Sequence, residues 1–367
     1  MRIEDIALTM TPSLGVKGIV HLLNVFGDAR TVFAASAEEL AARAELRDDV
    51  IRNIVSKTGW RGAEREIEHC RRHGITPIAS TDPEYPFLLR ETCDYPHILY
   101  VRGNVGALAE KAVTFVGTRR MTSYGERMCT SLVTGLAERI PDVCIVSGLA
   151  FGIDAAAHRA ALAAGAATVG VIPNALPAIS PAQHTDLARD IVEHGGAIIS
   201  ELPSCTKQNG SYYIARNRIM AGLGCGTVIV ESYAGGGSLT TVNFADGYGR
   251  TVMAVAGRAT DKASEGTNHL IRNRKAQLIL SADDIVSELM WELDIPASRE
   301  PEDALTADLS PDEAGLLGCF RTSDPVSADE LAELSGLTAK ELAALLVSLE
   351  LEGVVRQLPG NRYEKLI

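Results

Sequence analysis

The sequence predicts an α/β protein: a doubly wound, mostly parallel sheet between an N-terminal helical domain and a C-terminal winged-helix domain. Three observations predict it. Between Ala112 and Trp291, short β-branched runs alternate with segments of helical length. Ahead of them, apolar residues recur at helical spacing. Beyond an acidic stretch, two capped helical segments lead to a turn flanked by strand-like residues.

Residues 1–75 read as short helices, with Ile19, Leu22, Leu23 and Phe26 on one stripe and Val50, Ile51, Ile54 and Val55 on another. The turn Thr11-Pro12-Ser13-Leu14-Gly15-Val16-Lys17-Gly18 admits two readings. One is a SAM-like or helix–hairpin–helix-like unit offering backbone N–H groups to phosphate; the other is a plain helical cap. Residues 76–110 form a Pro-rich lead-in with one expected strand, Ile98–Val101. The core, 76–292 with its lead-in, carries the β-branched runs Val113–Val116, Val143–Val146, Thr168–Ile172, Ala197–Ser200, Thr227–Glu231, Thr251–Val255 and Gln277–Leu280. Alternating β and α puts helices on both faces of a parallel sheet, the Rossmann-like plan. Such sheets bind ligands beyond the carboxyl ends of their strands. Residues 293–310 are an acidic, flexible linker by composition. In 311–367, Ser327 caps one helix, Thr338 and Glu341 form a capping box for the next, and Pro359-Gly360-Asn361 turns a hairpin: a winged helix.

Composition narrows the function. The 367 residues carry a net charge of −12, which disfavours a broad basic face for nucleic acid. Yet residues 111–290 are net +1, and their arginines cluster, so a local basic pocket fits. Seven scattered cysteines without a CxxC pair speak against a zinc site or disulfide framework. Glu4 and Asp5 interrupt any secretory signal, and no apolar run approaches a membrane span of ~20 residues. A cytoplasmic protein with no membrane partner is expected.

The candidate chemistry lies in the turns after the core strands. Gly117-Thr118-Arg119-Arg120 follows the first strand, with Thr122 or Ser123 able to cap the next helix. Ser147-Gly148-Leu149-Ala150-Phe151-Gly152 follows the second; Asp154 and His158, four apart, suit a hydrogen-bonded pair at a helix start better than a metal site. Lys207 and Tyr212-Tyr213-Ile214-Ala215-Arg216-Asn217-Arg218 join phosphate donors to stacking faces, as single-stranded nucleic acid requires. Gly235-Gly236-Gly237-Ser238 and Gly257, followed by Gly266-Thr267-Asn268, complete the set of anion-friendly turns. Together they point to a long shallow groove rather than a deep catalytic pocket. Neither GxGxxG nor a P-loop occurs, and no nucleophile–base context is present, so no cofactor and no enzymatic activity are expected.

In order and spacing, Val116-Gly117-Thr118-Arg119-Arg120, Ser147-Gly148-Leu149-Ala150 with Gly152-Ile153-Asp154, Ser200-Glu201, Arg216-Asn217-Arg218-Ile219-Met220-Ala221-Gly222 and Gly236-Gly237-Ser238-Leu239-Thr240-Thr241 resemble the DprA (Smf) family of DNA-processing proteins. The resemblance implies a Rossmann-like homodimer that protects single-stranded DNA and loads the recombinase RecA during natural transformation. It implies DNA-binding roles for Gly117, Thr118, Arg119, Ser147, Gly148, Lys207, Tyr213 and Arg216. To these the turn chemistry adds Arg120, Asn217, Arg218, Gly237, Ser238 and Asn268. The sequence departs from the pattern at Gly210, where the family lysine is expected, so that Lys207 serves only across a small insertion, and at Phe151, which replaces an arginine.

The alternative is a nucleotide phosphoribohydrolase of the same superfamily. Its catalytic glutamate would fall on Thr241, whose hydroxyl cannot stabilise a ribosyl cation. A sequence-specific duplex reader is disfavoured by the acidic Thr338–Glu352 helix, where Lys340 faces Glu341, Glu350 and Glu352.

Overall fold

A computed structural model describes residues 2–108, 111–291, 310–320, 325–351 and 354–366. It separates into two units, residues 1–294 and 295–367. The linker expected at 293–310 lies almost wholly outside the described residues.

In the larger unit, nine strands form one sheet. They are β1 (Thr76–Ala79), β2 (Ile98–Gly103), β3 (Ala112–Val116), β4 (Cys144–Ser147), β5 (Ala167–Val171), β6 (Ala197–Ser200), β7 (Gly226–Ile229), β8 (Thr251–Val255) and β9 (Gln277–Ile279). Their order is β1-β2-β6-β5-β4-β3-β7-β8-β9. The seven strands from β6 to β9 pair in parallel; β2 runs antiparallel to β6, and β1 antiparallel to β2. The lead-in therefore supplies two strands where one was expected. β1 escaped notice because Pro77 interrupts a four-residue run, and an edge strand is where a sheet tolerates proline.

The chain lays down β3 to β6 outward in one direction, then returns to place β7 on the other side of β3. That reversal leaves a crevice beyond the carboxyl ends of β3 and β7. Leu132 and Leu136 of the helix Ser123–Arg139 pack on Phe115 and Ile145 of one sheet face. Ile219 and Leu223 of the helix Ser211–Leu223, with Val242 of Ser238–Gly247, pack with Val116 and Ile229 on the other.

Residues 2–75 are helical, as expected, and dock on the sheet edge through Ile6, Ala63 and Cys70 against Ile98 and Tyr100. Asp5 and His97 make a buried pair, 3.3 Å apart, and His97 Nδ1 lies 2.8 Å from Ser80 Oγ. In the Thr11–Gly18 turn, the Pro12 and Ser13 carbonyls accept from Asn53 and Arg47.

In the smaller unit, helices Pro311–Leu317, Ala328–Ser335 and Ala339–Leu351 enclose Leu316, Leu331, Leu342 and Leu346. A three-stranded sheet, β10 (Val326–Ser327), β12 (Arg362–Lys365) and β11 (Val355–Leu358) in that order, completes a winged helix. Ser327 and Thr338 cap their helices as the sequence predicts. No described helix is long and apolar enough to cross a membrane.

Candidate functional site

The crevice between β3 and β7 holds a cavity of about 470 Å³. Gly117, Thr118 and Arg119 line it after β3, Ala150 and Asp154 after β4, and Tyr233, Gly236, Gly237 and Ser238 after β7. Tyr213, Arg216, Asn217 and Met220 of the helix Ser211–Leu223 close it. Those four positions follow a helical stripe. The expected turns after β3, β4 and β7 therefore meet at this cavity, and the Gly257 turn does not line it.

Glycine is required where the turns interlock. A Cβ on Gly117 would fall 2.4 Å from Ile153 Cγ1. Gly152 sits at φ +75°, and a Cβ there would fall 2.2 Å from the Thr118 carbonyl oxygen. Thr118 N donates to the Glu231 carbonyl at 2.7 Å, which ties the turn after β3 to the end of β7. The Glu231 carboxylate accepts from Thr122 N and Thr122 Oγ1, and Thr122 in turn caps the helix Ser123–Arg139. These N–H groups, expected to face an anion, are thus engaged in joining the turns.

Beneath the cavity, Gly148 leaves the space that Arg216 occupies. A Cβ at 148 would lie 1.5 Å from Arg216 Nη1 and 2.6 Å from Asp154 Oδ2. Arg216 is 5% exposed; its Nη1 donates to the Val171 carbonyl at 3.0 Å, and its buried Nε has no partner among the described residues. Burial pushes the Asp154 carboxyl above its ordinary range, against the pull of Arg216. Burial also lowers the Arg216 guanidinium, which Asp154 resists. The opposite charges of Arg216 and Asp154 therefore lie together beneath the cavity without surface exposure.

At the mouth, the exposed Arg119 guanidinium lies over the Tyr213 ring, 5.5 Å from its centroid. The Tyr213 hydroxyl is 3.0 Å from Ser180 Oγ, which fixes the ring. A cation over one face of a half-buried tyrosine is an arrangement suited to a phosphate beside a base. Thr241, where a phosphoribohydrolase would carry its glutamate, lines the cavity; Asp154 is the carboxylate that does so.

Other expected residues lie elsewhere. Arg218 points off the cavity stripe, forming a close ion pair with Glu201 and donating to the Asp94 carbonyl. Asn268 brackets Gly257, accepting from its N–H and donating to its carbonyl, both at 3.1 Å. Ser147 donates to the Phe115 carbonyl and is fully buried, so it and Gly148 shape the floor without lining the cavity. Lys207 stands on an exposed loop, and Arg120 is exposed beside the turn; neither lines the cavity. Asp154 and His158 do not pair: Asp154 accepts from Ala150 N, whereas His158 Nδ1 meets Thr168 Oγ1 at 2.6 Å. Because that hydroxyl donates to the Ile145 carbonyl, His158 donates through Nδ1. Its pKa falls to about 3, chiefly through burial. Sequence reasoning did not assign Tyr233, Ile214 or Met220 to the site; helical spacing from Tyr213 and Arg216 finds Met220, but not the other two. No group of three or more His, Cys, Asp or Glu side chains could hold a metal among the described residues.

Residues 76–290 match the family model of DNA recombination-mediator protein A, and residues 300–361 match the DprA winged helix domain. A putative DNA processing protein DprA from Mycobacterium tuberculosis (strain H37Rv) is 32% identical over 346 residues, 90% of this chain and 88% of that protein. Protein Smf from Escherichia coli K12 is 36% identical over 284 residues, 76% of this chain and 74% of that protein. The DprA structure from Streptococcus pneumoniae aligns with a TM-score of 0.66 and 27% identity, covering 80% of this chain and 99% of its own. DNA processing protein A from Helicobacter pylori, solved in work on its single-stranded DNA binding mode, aligns with a TM-score of 0.52 and 26% identity, covering 59% and 95%.

Proposed function

The chain belongs to the DNA recombination-mediator protein A (DprA, Smf) family, and from that premise we propose that it binds single-stranded DNA at the β3–β7 cavity and passes it to a recombinase. The observation that carries this reading is Arg119 held over Tyr213 at the cavity mouth. Exposed cation and anchored ring together engage a phosphate and a base, and neither selects a sequence. Arg216 lies buried below them, its charge opposed by Asp154. Lys207 stands on the exposed loop just upstream of the same helix.

The action is binding rather than turnover. The cavity carboxylate, Asp154, is committed to Arg216 and Ala150, and a threonine stands at position 241. Free base released from nucleoside monophosphates, and abolished in Arg119→Ala, would contradict this.

The family further supports a cytoplasmic homodimer that loads RecA during natural transformation. Among the described residues, the β9 edge of the sheet supports self-association: Leu278 within β9 and Leu280 just after it are 47% and 69% exposed. An apolar edge strand is a ready pairing surface.

Photo-crosslinking with a bromouracil-substituted oligonucleotide tests the site. The expected adducts map to residues 117–122 and 211–220. Adducts confined to residues 310–367 would overturn the assignment.

A further inference from the structure

We propose that Phe151 is a second base-stacking platform, receiving the nucleobase adjacent to the one that enters beside Tyr213. The inference rests on the single-stranded-DNA reading of the cavity. Phe151 is a large apolar residue 43% exposed. It follows Ala150 and precedes Asp154, both of which line the cavity.

The turn that carries it is fixed from both sides. Leu149 holds φ +57° and Gly152 φ +75°. Ala150 N donates to Asp154, and His184 Nδ1 lies 2.8 Å from the Leu149 carbonyl oxygen. A non-glycine residue held in the left-handed region inside a functional turn marks a conformation that the surroundings impose.

The same segment supports both rings. Ser180 holds the Tyr213 hydroxyl; four residues later, His184 meets the Phe151 ring edge-on, with centroids 4.7 Å apart at 62°. Asn174 Nδ2 donates to the Ala178 carbonyl at 2.8 Å and closes that segment on itself. Beside this edge-type contact Phe151 keeps 43% of its surface exposed. Every base has a π face, so such a platform is sequence-tolerant and adds no charge.

The test is fluorescence anisotropy with a labelled oligothymidine across a salt series, using the full chain and its Phe151→Ala, Phe151→Trp and Arg119→Ala variants. Phe151→Ala should bind about tenfold more weakly, with an unchanged slope of log affinity on log salt, because a phenyl ring displaces no counterion. Phe151→Trp should bind as the wild type does. Arg119→Ala should lower both affinity and slope, the slope by about 0.7. Wild-type affinity in Phe151→Ala, a changed slope there, or a failure of tryptophan to substitute would overturn the platform while leaving the cavity reading intact. An unaffected Arg119→Ala would overturn that reading itself.

Discussion

Gly148 and Arg216 compete for one volume: the hydrogen on Gly148 points where a methyl group would fall 1.5 Å from Arg216 Nη1. The guanidinium is buried and bonded to Val171, and it cannot withdraw without leaving Asp154 uncompensated. Gly148→Ala should therefore destabilise the core by about 1–3 kcal/mol through overpacking. It should also weaken single-stranded-DNA binding. Urea denaturation and anisotropy on the same preparation check both effects, and a Gly148→Ala variant with unchanged midpoint and affinity would contradict them.

Arg218 and Arg119 separate stability from binding. Arg218→Ala strands the half-buried Glu201 carboxylate, a loss of up to about 3 kcal/mol for a broken, largely desolvated pair. The fraction that remains folded should bind DNA with near wild-type affinity. Arg119→Ala should do the reverse, leaving the unfolding midpoint unchanged. Equal destabilisation by both substitutions would remove the distinction.

His158 sets an acid limit. Its folded pKa, about 3, lies below the unfolded value near 6.5. Between those values the unfolded chain takes up a proton that the folded chain refuses. Stability contributed by the neutral ring is therefore present above pH 6.5 and is lost as pH falls toward 3, by at most about 1.4 kcal/mol per pH unit. Asp154, with a raised pKa, acts with the opposite sign and offsets part of the loss at the acid end. The slope of unfolding free energy between pH 6.5 and 4.5 should shrink in His158→Gln; an identical slope would count against the assignment.

The winged helix contributes little to the strand-binding surface on this account. Its Ala339–Leu351 helix carries Glu341 and Glu350 against Lys340, a charge balance that repels phosphate. Deleting residues 310–367 should change single-stranded-DNA affinity by less than about threefold. A collapse in affinity would relocate the site.

The parallel sheet was legible because β-branched runs such as Val113–Val116 and Thr251–Val255 recur between helical segments, and strand order followed once β7 was seen beside β3. The cavity's helical side was legible in part: Tyr213, Arg216 and Asn217 were expected there and line it, whereas Arg218, expected beside them, pairs with Glu201, and Met220 of the same helical stripe was not expected. The turns were harder. That Thr118 N would be taken by the Glu231 carbonyl, or Gly257 by Asn268, depends on contacts between segments 11 to more than 100 residues apart, and local sequence carries no record of them. Likewise, nothing near Gly148 announces that its missing side chain makes room for an arginine 68 positions later.

The most direct test of the central claim is a competition measurement at one salt concentration, pitting a single-stranded oligonucleotide against a duplex of the same sequence for the wild-type chain and Arg119→Ala. The cavity with its stacked Arg119 and Tyr213 predicts that the single strand wins and that Arg119→Ala erases most of that advantage. Equal binding of strand and duplex, or a preference for the single strand that survives Arg119→Ala, would contradict it.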